Sequence, residues 1–492
     1  MSNTNPLLIG GNGAHTVYMN AAMANRHGMI AGATGTGKTV TLQILAENFS
    51  KIGVPVFLAD VKGDISGIGK AATTHPKIDE RVEKIGIDDY NMQASPVIFW
   101  DLFGDNGHPI RTTVSEIGPL LLSNLLELND TQTGILYSCF KIADDQGLLI
   151  LDLKDLRSML NWMAEHRSEL SSEYGNISSA SVGAIQRGLI VLEEQGAEFL
   201  LGEPAISLDD LMNYDFSGRG VINILDASKL IQSSPRLYAT FLLWLLSELF
   251  ESLPEVGDAE KPKFVMFFDE AHLLFDDAPK ILVDKIEQVV RLIRSKGVGI
   301  YFISQSPLDI PEEILGQLGL KVQHALRAFT PKDQKAVKTV AETFRSNSEI
   351  NTRQVITELG VGEALVSILD SEGIPTPVEQ ILIRPPESRI GPMDNDERSQ
   401  AISRSPLKGR YDTALDRESA YEMLKERAKQ AAIEEETLES KKENEKALKK
   451  SNSRRSNRQT PTEAFIKSAA RSIGSSLGRR VIRGVLGSLF KG

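Results

Sequence analysis

Residues 32–39 read GATGTGKT, placing three glycines, three threonines and one lysine within eight positions. Residues of these types at this spacing suit phosphate binding. Glycine lets the backbone wrap closely, so that successive N–H groups of Gly32, Ala33, Thr34, Gly35, Thr36 and Gly37 point into one concavity. A helix beginning at Lys38 adds the positive end of its dipole. Lys38 is placed to reach β- and γ-phosphates, and the Thr39 hydroxyl to ligate a magnesium ion. The alternative is a glycine-rich turn that merely caps a strand. A chance match in a chain this long is about 2%, and its position between strand and helix lowers that further.

A second group lies far downstream, in KFVMFFDEAH at 263–272. An apolar strand ending at Asp269 puts a carboxylate on the sheet edge where the phosphate loop also opens. Asp269 can hold the magnesium through its water shell, and Glu270 can orient and polarise an attacking water. Such an acid pair points to hydrolysis rather than phosphoryl transfer to a metabolite; the plainer reading is a solvated strand end. VGIYFISQ (298–305) ends in a polar amide, Gln305, that can contact the γ-phosphate or the lytic water. Ser-Gln at a strand end is common, and the order of the three elements strengthens the signal. Arg291, Arg294 and Arg327 are candidates for a guanidinium supplied across a subunit interface, worth about 10³–10⁵ in rate. Each is equally readable as a surface or structural arginine. Asp60, Lys62 and Asp64 in LADVKGDISG either border the same cleft or form a plain polar turn.

Positioning these groups requires strands that alternate with helices. GMIAG (28–32), VPVFLAD (54–60), GVINILDA (220–227), KFVMFFDEAH and VGIYFISQ read as strands, followed by KVQHALRAF, EALVSIL and VEQILIR. Their nearly continuous apolar character suits a mostly parallel sheet covered on both faces, an α/β class. VTLQILAENFSKIG reads as a helix with Leu42, Leu45, Ala46 and Phe49 on one face. Residues 110–215 turn helical, with apolar residues at three-to-four spacing, and are expected to be an inserted helical subdomain. The expected organisation is a core of 1–109 and 216–385, the insertion at 110–215, a linker and charged helix at 386–450, and a basic, partly amphipathic tail at 451–492.

The net charge of −11 hides an asymmetry. Residues 425–492 carry 17 Lys/Arg against 8 Asp/Glu, a surplus of +9 that leaves −20 for residues 1–424. An acidic body with a basic tail makes the whole-chain charge a poor guide to partners. One cysteine, Cys139, excludes an internal disulfide and a thiolate metal cluster, and the seven histidines show no helical metal-binding pair. No apolar run approaches the roughly 18 residues of a membrane span. The N-terminus lacks the pattern of a secretory signal, so a cytoplasmic location is expected.

With these residues on the page, the chain resembles the HerA–FtsK superfamily of P-loop motor ATPases, within it the bacterial HerA-like group typified by YjgR. The resemblance is carried by ANRHGMIAGATGTGKTVTLQ, VPVFLADVKGD, NISSASVGAIQRGL, FFDEAHLLF, IRSKGVGIYFISQ and QHALRAFTPKDQKAVKT, spanning about 20–345, and runs on to about 425. It implies a RecA-like core, ATP with Mg2+ as cofactors, and a ring, usually a hexamer, whose subunits share active sites. By the resemblance, Lys38 and Thr39 match the Walker A positions, Asp269 and Glu270 match Walker B, and Gln305 matches the sensor glutamine. Arg294 matches the trans-acting arginine of related conjugation motors. Only 31 residues precede Gly32, too few for the N-terminal β-barrel of HerA itself. The membrane segments and winged-helix DNA reader of FtsK find no counterpart. DEAH also occurs in DEAH-box RNA helicases, but the rest of that motif set is missing.

Two functions from different classes follow. One is an oligomeric ATPase that moves DNA as a translocase or helicase-like motor, with the basic tail adding sequence-independent phosphate contacts. The other is an ATPase that drives a protein or membrane-associated assembly, its tail at 460–492 lying on an anionic bilayer or a partner helix. A tail that docks on its own ring or stays loose is the plain alternative. A nucleotide-gated scaffold without turnover is disfavoured by the intact Asp269–Glu270 pair.

Overall fold

Runs of Val, Ile, Leu and Phe line up as one sheet of 12 strands in the computed structural model, which describes residues 6–257, 259–276, 280–328 and 330–452. In chain order the strands are β1 (Pro6–Gly11), β2 (Thr16–Asn20), β3 (Gly28–Ala31), β4 (Val56–Asp60), β5 (Val97–Asp101) and β6 (His108–Pro109). They continue with β7 (Ile222–Asp226), β8 (Phe264–Phe268), β9 (Val298–Ser304), β10 (Leu320–Gln323), β11 (Glu363–Ser367) and β12 (Glu379–Ile383). Their spatial order is β2-β1-β12-β11-β10-β3-β9-β8-β4-β7-β5-β6. From β10 to β6 every pairing is parallel. From β10 back to β2 every pairing is antiparallel.

The strand expectations hold at β3, β4 and β7 to β12, and the mostly parallel α/β class with them. β4, β7, β8 and β9 are buried at every residue, as strands covered on both faces must be. Helix α1 (Lys38–Lys51) follows β3, and its burial extends beyond the expected apolar stripe to Thr41, Gln43, Glu47, Asn48 and Ser50. Ile44, Leu45, Phe49, Phe267, Tyr301 and Ile303 belong to one core cluster at this helix.

One expected linker is not a linker. Residues 383–388 are buried, and they cross α1 as a strap. Glu47 accepts from Arg384 Nη2 at 3.1 Å, Glu387 N–H at 3.1 Å and Ser388 N–H at 2.9 Å, and from the Ser388 hydroxyl. The strap continues to Gly391, whose carbonyl accepts Gly67 N–H at 3.0 Å. Two prolines and a run of polar residues look like a linker by composition. The buried ion pair that ties them down is a tertiary fact with no local signature.

Two compact units divide the chain. Among the described residues, the first comprises 6–133 and 183–416; the second comprises 134–182 and 417–452. The stretch 110–215, expected as one insertion, therefore contributes to both. Its longer helices are at Val114–Leu125, Asp130–Gln146, Leu153–Glu165 and Ser179–Glu194. The second unit also holds the start of the long helix Ala420–Asn452, where Asp155 Oδ1 accepts Ser419 Oγ at 2.6 Å and Tyr421 N–H at 2.9 Å. Among the described residues no helix is long and apolar enough to cross a membrane. The tail at 460–492 lies outside the described residues.

Candidate nucleotide site

β3 delivers the chain to the glycine-rich loop, and two backbone bonds pin its start. Gly32 N–H donates to Ser304 O at 3.3 Å and Ala33 N–H to Ala325 O at 2.9 Å. Thr36 Oγ1 donates to Ala33 O at 2.7 Å, closing the loop on itself, while Gly362 N–H donates to Thr36 O at 2.9 Å. Gly35 and Gly37 adopt φ of 77° and 116°, which residues with a Cβ rarely take up. Gly32 is required for room, because a Cβ there would meet the Cβ of His324 at 2.5 Å. Among the described residues, none of the amides from Thr34 to Thr39 donates to a backbone carbonyl. Those at the start of α1 are donors that every helix leaves unpaired, and an anion can take them up.

Lys38 is buried, and its ammonium donates to Gly32 O at 2.6 Å and Ala33 O at 3.1 Å. The loop thus holds its own cation at its mouth. Burial lowers the Lys38 pKa, nearby Lys62 lowers it further, and Glu270 and Asp269 oppose both. The two carboxylates are therefore within electrostatic reach of Lys38, although β8 and β3 are separated by β9.

Asp269 and Glu270 follow β8 directly and both are buried. Burial, and then the Glu270 carboxylate, push the Asp269 carboxyl up to about 7, with Lys62 opposing. Asp269 Oδ1 accepts Glu270 N–H at 3.0 Å, and its carbonyl accepts Tyr238 OH at 3.0 Å. Glu270 has φ of 47°, the left-handed region, where a non-glycine residue is strained by about 1–3 kcal/mol. Its Oε1 lies 3.3 Å from Lys62 Nζ. Its Oε2 is buried and has no hydrogen-bond partner among the described residues, with His272 Nδ1 at 3.5 Å.

The Asp60 carboxylate accepts the amides of Gly63 at 2.7 Å, Asp64 at 3.2 Å and Ile65 at 3.0 Å. Asp60 thus caps its own turn, and burial pushes it up to about 6. The polar-turn reading holds for Asp60, whereas Lys62 reaches the acid pair. Gln305 is exposed after β9 and lines a cleft of about 910 Å³ with Ala33, His272 and Arg327. Arg294 lies elsewhere: it precedes Val298 and stands at the opposite edge of the sheet. At about 3.3 Å per residue, β9 separates it from the loop by roughly 20 Å within the chain. Arg291 is exposed and lies 3.8 Å from Glu287 on its own helix.

The groups brought together fit a magnesium-bound nucleoside triphosphate: unpaired amides at a helix start, a buried lysine, and a buried carboxylate with an unpartnered oxygen. Sequence reasoning missed Tyr238, His272 and His324. His324 sits behind the loop, its Nε2 2.8 Å from Thr41 Oγ1 and its Nδ1 2.9 Å from Glu363 O. A histidine ending a strand beside the loop is the only trace of this in the sequence, and Tyr238 has none.

A model of the helicase HerA-like C-terminal family matches residues 6–492. The chain belongs to that family. Similar HerA-like relatives include the DNA double-strand break repair helicase HerA of Sulfolobus acidocaldarius, 23% identical over 73% of this chain and 65% of the relative. Another is the probable helicase MJ1565 of Methanocaldococcus jannaschii, 23% identical over 70% of this chain and 60% of the relative. The chain thus spans somewhat less than two thirds of these relatives. Among solved structures, the plasmid coupling protein TrwB with a non-hydrolysable GTP analogue is similar, with a TM-score of 0.51 and 15% identity. That match covers 77% of this chain and 89% of TrwB. VirB4 of Thermoanaerobacter pseudethanolicus gives a TM-score of 0.50 and 15% identity over 80% of this chain and 98% of that one. The two neighbours share the RecA-like P-loop fold with this HerA-like chain.

Proposed function

We propose that this chain is a Mg2+-dependent ATP hydrolase that works as a homo-oligomer, of hexameric type, and acts as a DNA translocase or helicase-like motor. The observation that supports the reading is that two buried carboxylates, Asp269 and Glu270, follow β8 within electrostatic reach of Lys38, with Glu270 Oε2 unpartnered among the described residues. Lys38 and the amides of 32–39 would hold the triphosphate, and Thr39 with Asp269, the latter through water, would hold the magnesium. A bound nucleotide would supply a scissile phosphoanhydride, and the metal held there would spread the charge that develops on it. Glu270 Oε2 orients a water by accepting its hydrogen bond. Asp269, pushed up to about 7 by burial and by Glu270, ionises readily once a cation stands beside it. Gln305, which lines a cleft with Ala33, would report on the γ-phosphate.

DNA as cargo is supported by the names of the relatives, a DNA double-strand break repair helicase and a probable helicase. An oligomer is supported by Arg294, which is far from the loop of its own chain and exposed at the sheet's other edge; a neighbouring subunit offers it a site to complete. The test is the ATPase rate with and without single- and double-stranded DNA over a salt series. Stimulation that fades as salt rises fits phosphate-backbone contacts. A rate indifferent to DNA at every salt concentration contradicts the DNA motor and leaves the hydrolase.

A further inference from the structure

We infer that Lys62 is a positioning residue for Glu270, holding one carboxylate oxygen so that the other is presented to water; this rests on the hydrolase reading above. The side chains meet because of strand register. β4 and β8 are adjacent and parallel, with Phe57 opposite Met266 and Leu58 opposite Phe267. Lys62 and Glu270 each stand two residues beyond the end of their strand. Carried past the strand ends, this register puts Glu270 opposite Val61, so that Lys62, the next residue, stands beside it at the sheet's C-terminal edge.

The turn that carries Lys62 is built to hold it there. The Asp60 carboxylate gathers the amides of Gly63, Asp64 and Ile65, and Gly63 takes the left-handed φ of 72° that closes the turn. From the other side, Glu270 leaves its strand with a strained, left-handed φ of 47°. The Lys62 ammonium then lies 3.3 Å from Oε1, while Oε2 is buried with no hydrogen-bond partner among the described residues and His272 Nδ1 3.5 Å away. A buried carboxylate oxygen left unpaired is unfavourable. It persists here because the other oxygen is tethered. A carboxylate free to rotate would present either oxygen, whereas a tethered one has a single face left for water.

The Lys62 side chain is 38% exposed and that of Glu270 11%. A pair of this kind contributes little to stability. Its consequence is orientation, and orientation of a base shows in kcat rather than in substrate affinity.

Lys62→Met, Glu270→Gln, the double variant and Lys38→Ala should be compared by steady-state and single-turnover ATP hydrolysis, nucleotide affinity and melting temperature. The expected result for Lys62→Met is a kcat lower by about 10- to 100-fold, less than the 10²–10⁴ typical of a positioned base. Nucleotide affinity and KM should stay within about twofold, with an unchanged melting temperature. In single turnover the double variant should be no slower than Glu270→Gln, since Lys62 acts only through that carboxylate. If Lys38→Ala and Glu270→Gln are inactive while Lys62→Met keeps the parental kcat, the positioning role is wrong and the hydrolase reading stands. A loss confined to KM or affinity, or additive losses in the double variant, overturns it too, because Lys62 would then act on phosphate directly. Parental turnover in Glu270→Gln overturns both readings.

Discussion

Glu47 accepts four of the hydrogen bonds by which the strap holds α1, so Glu47→Gln is the perturbation that tests the architecture under the phosphate loop. Glu47 is 1% exposed and Arg384 3%. One Glu47 oxygen accepts from Arg384 Nη2 and Glu387 N–H, and the other from Ser388 N–H and Oγ. A glutamine must turn its NH2 toward one of these donor pairs and removes the charge that faces a buried guanidinium. Breaking a buried pair from one side is destabilising by about 3–5 kcal/mol. Arg384 keeps Asn48 Oδ1 at 2.9 Å and Leu8 O at 3.2 Å, which places the loss at the lower end. The effect is local to α1 and 384–388, so amide hydrogen exchange is the assay. At about 1.4 kcal/mol per tenfold, exchange of the Glu387 and Ser388 amides should accelerate by two orders of magnitude or more. Acceleration below about tenfold would refute the claim that this carboxylate secures the strap.

Other perturbations have equally definite outcomes. His27 is buried, donating through Nε2 to Val290 O at 2.8 Å and accepting Ile300 N–H on Nδ1 at 3.1 Å. Burial lowers it to about 4, so the unfolded chain binds the extra proton between pH 6.5 and 4. Its stability contribution is therefore full above pH 6.5 and lost as pH falls toward 4, by up to about 3 kcal/mol. His27→Gln should flatten acid unfolding in that window, and an unchanged pH profile would exclude this source. Gly35→Ala meets nothing within 4 Å but carries φ of 77°, so nucleotide affinity should fall modestly, with strain of about 1–2 kcal/mol. Gly32→Ala drives a Cβ into His324 and should weaken affinity more; equal losses would contradict the packing behind the loop.

Much of this was legible in the sequence because its signals are local. Three glycines before Lys38-Thr39 specify a loop, and an apolar strand ending in Asp269 specifies a sheet edge. The β1–β2 hairpin passed unnoticed although Asn12 and Gly13 form its turn, where Asn12 Oδ1 accepts the amides of Ala14 and His15. The apolar run VIFWD, now β5, was hidden beside the helical stretch. What could not be read was long-range: Glu47 with Arg384, Lys62 with Glu270, and Tyr238 beneath Asp269. Each pairing depends on which strands become neighbours, and β3, β9, β8 and β4 come from widely separated parts of the chain. Arg294 shows the same limit, since its distance from the loop follows only from the direction of β9.

The central claim is that the Lys38 loop and the Asp269–Glu270 pair form one hydrolytic site. Its most direct test is magnesium-dependent phosphate release from ATP by the purified chain, alongside Lys38→Ala and Glu270→Gln, with nucleotide binding measured on the same samples. The account predicts turnover by the parent protein, none by either variant, and retained nucleotide binding by Glu270→Gln. Turnover at the parental rate in either variant would contradict it.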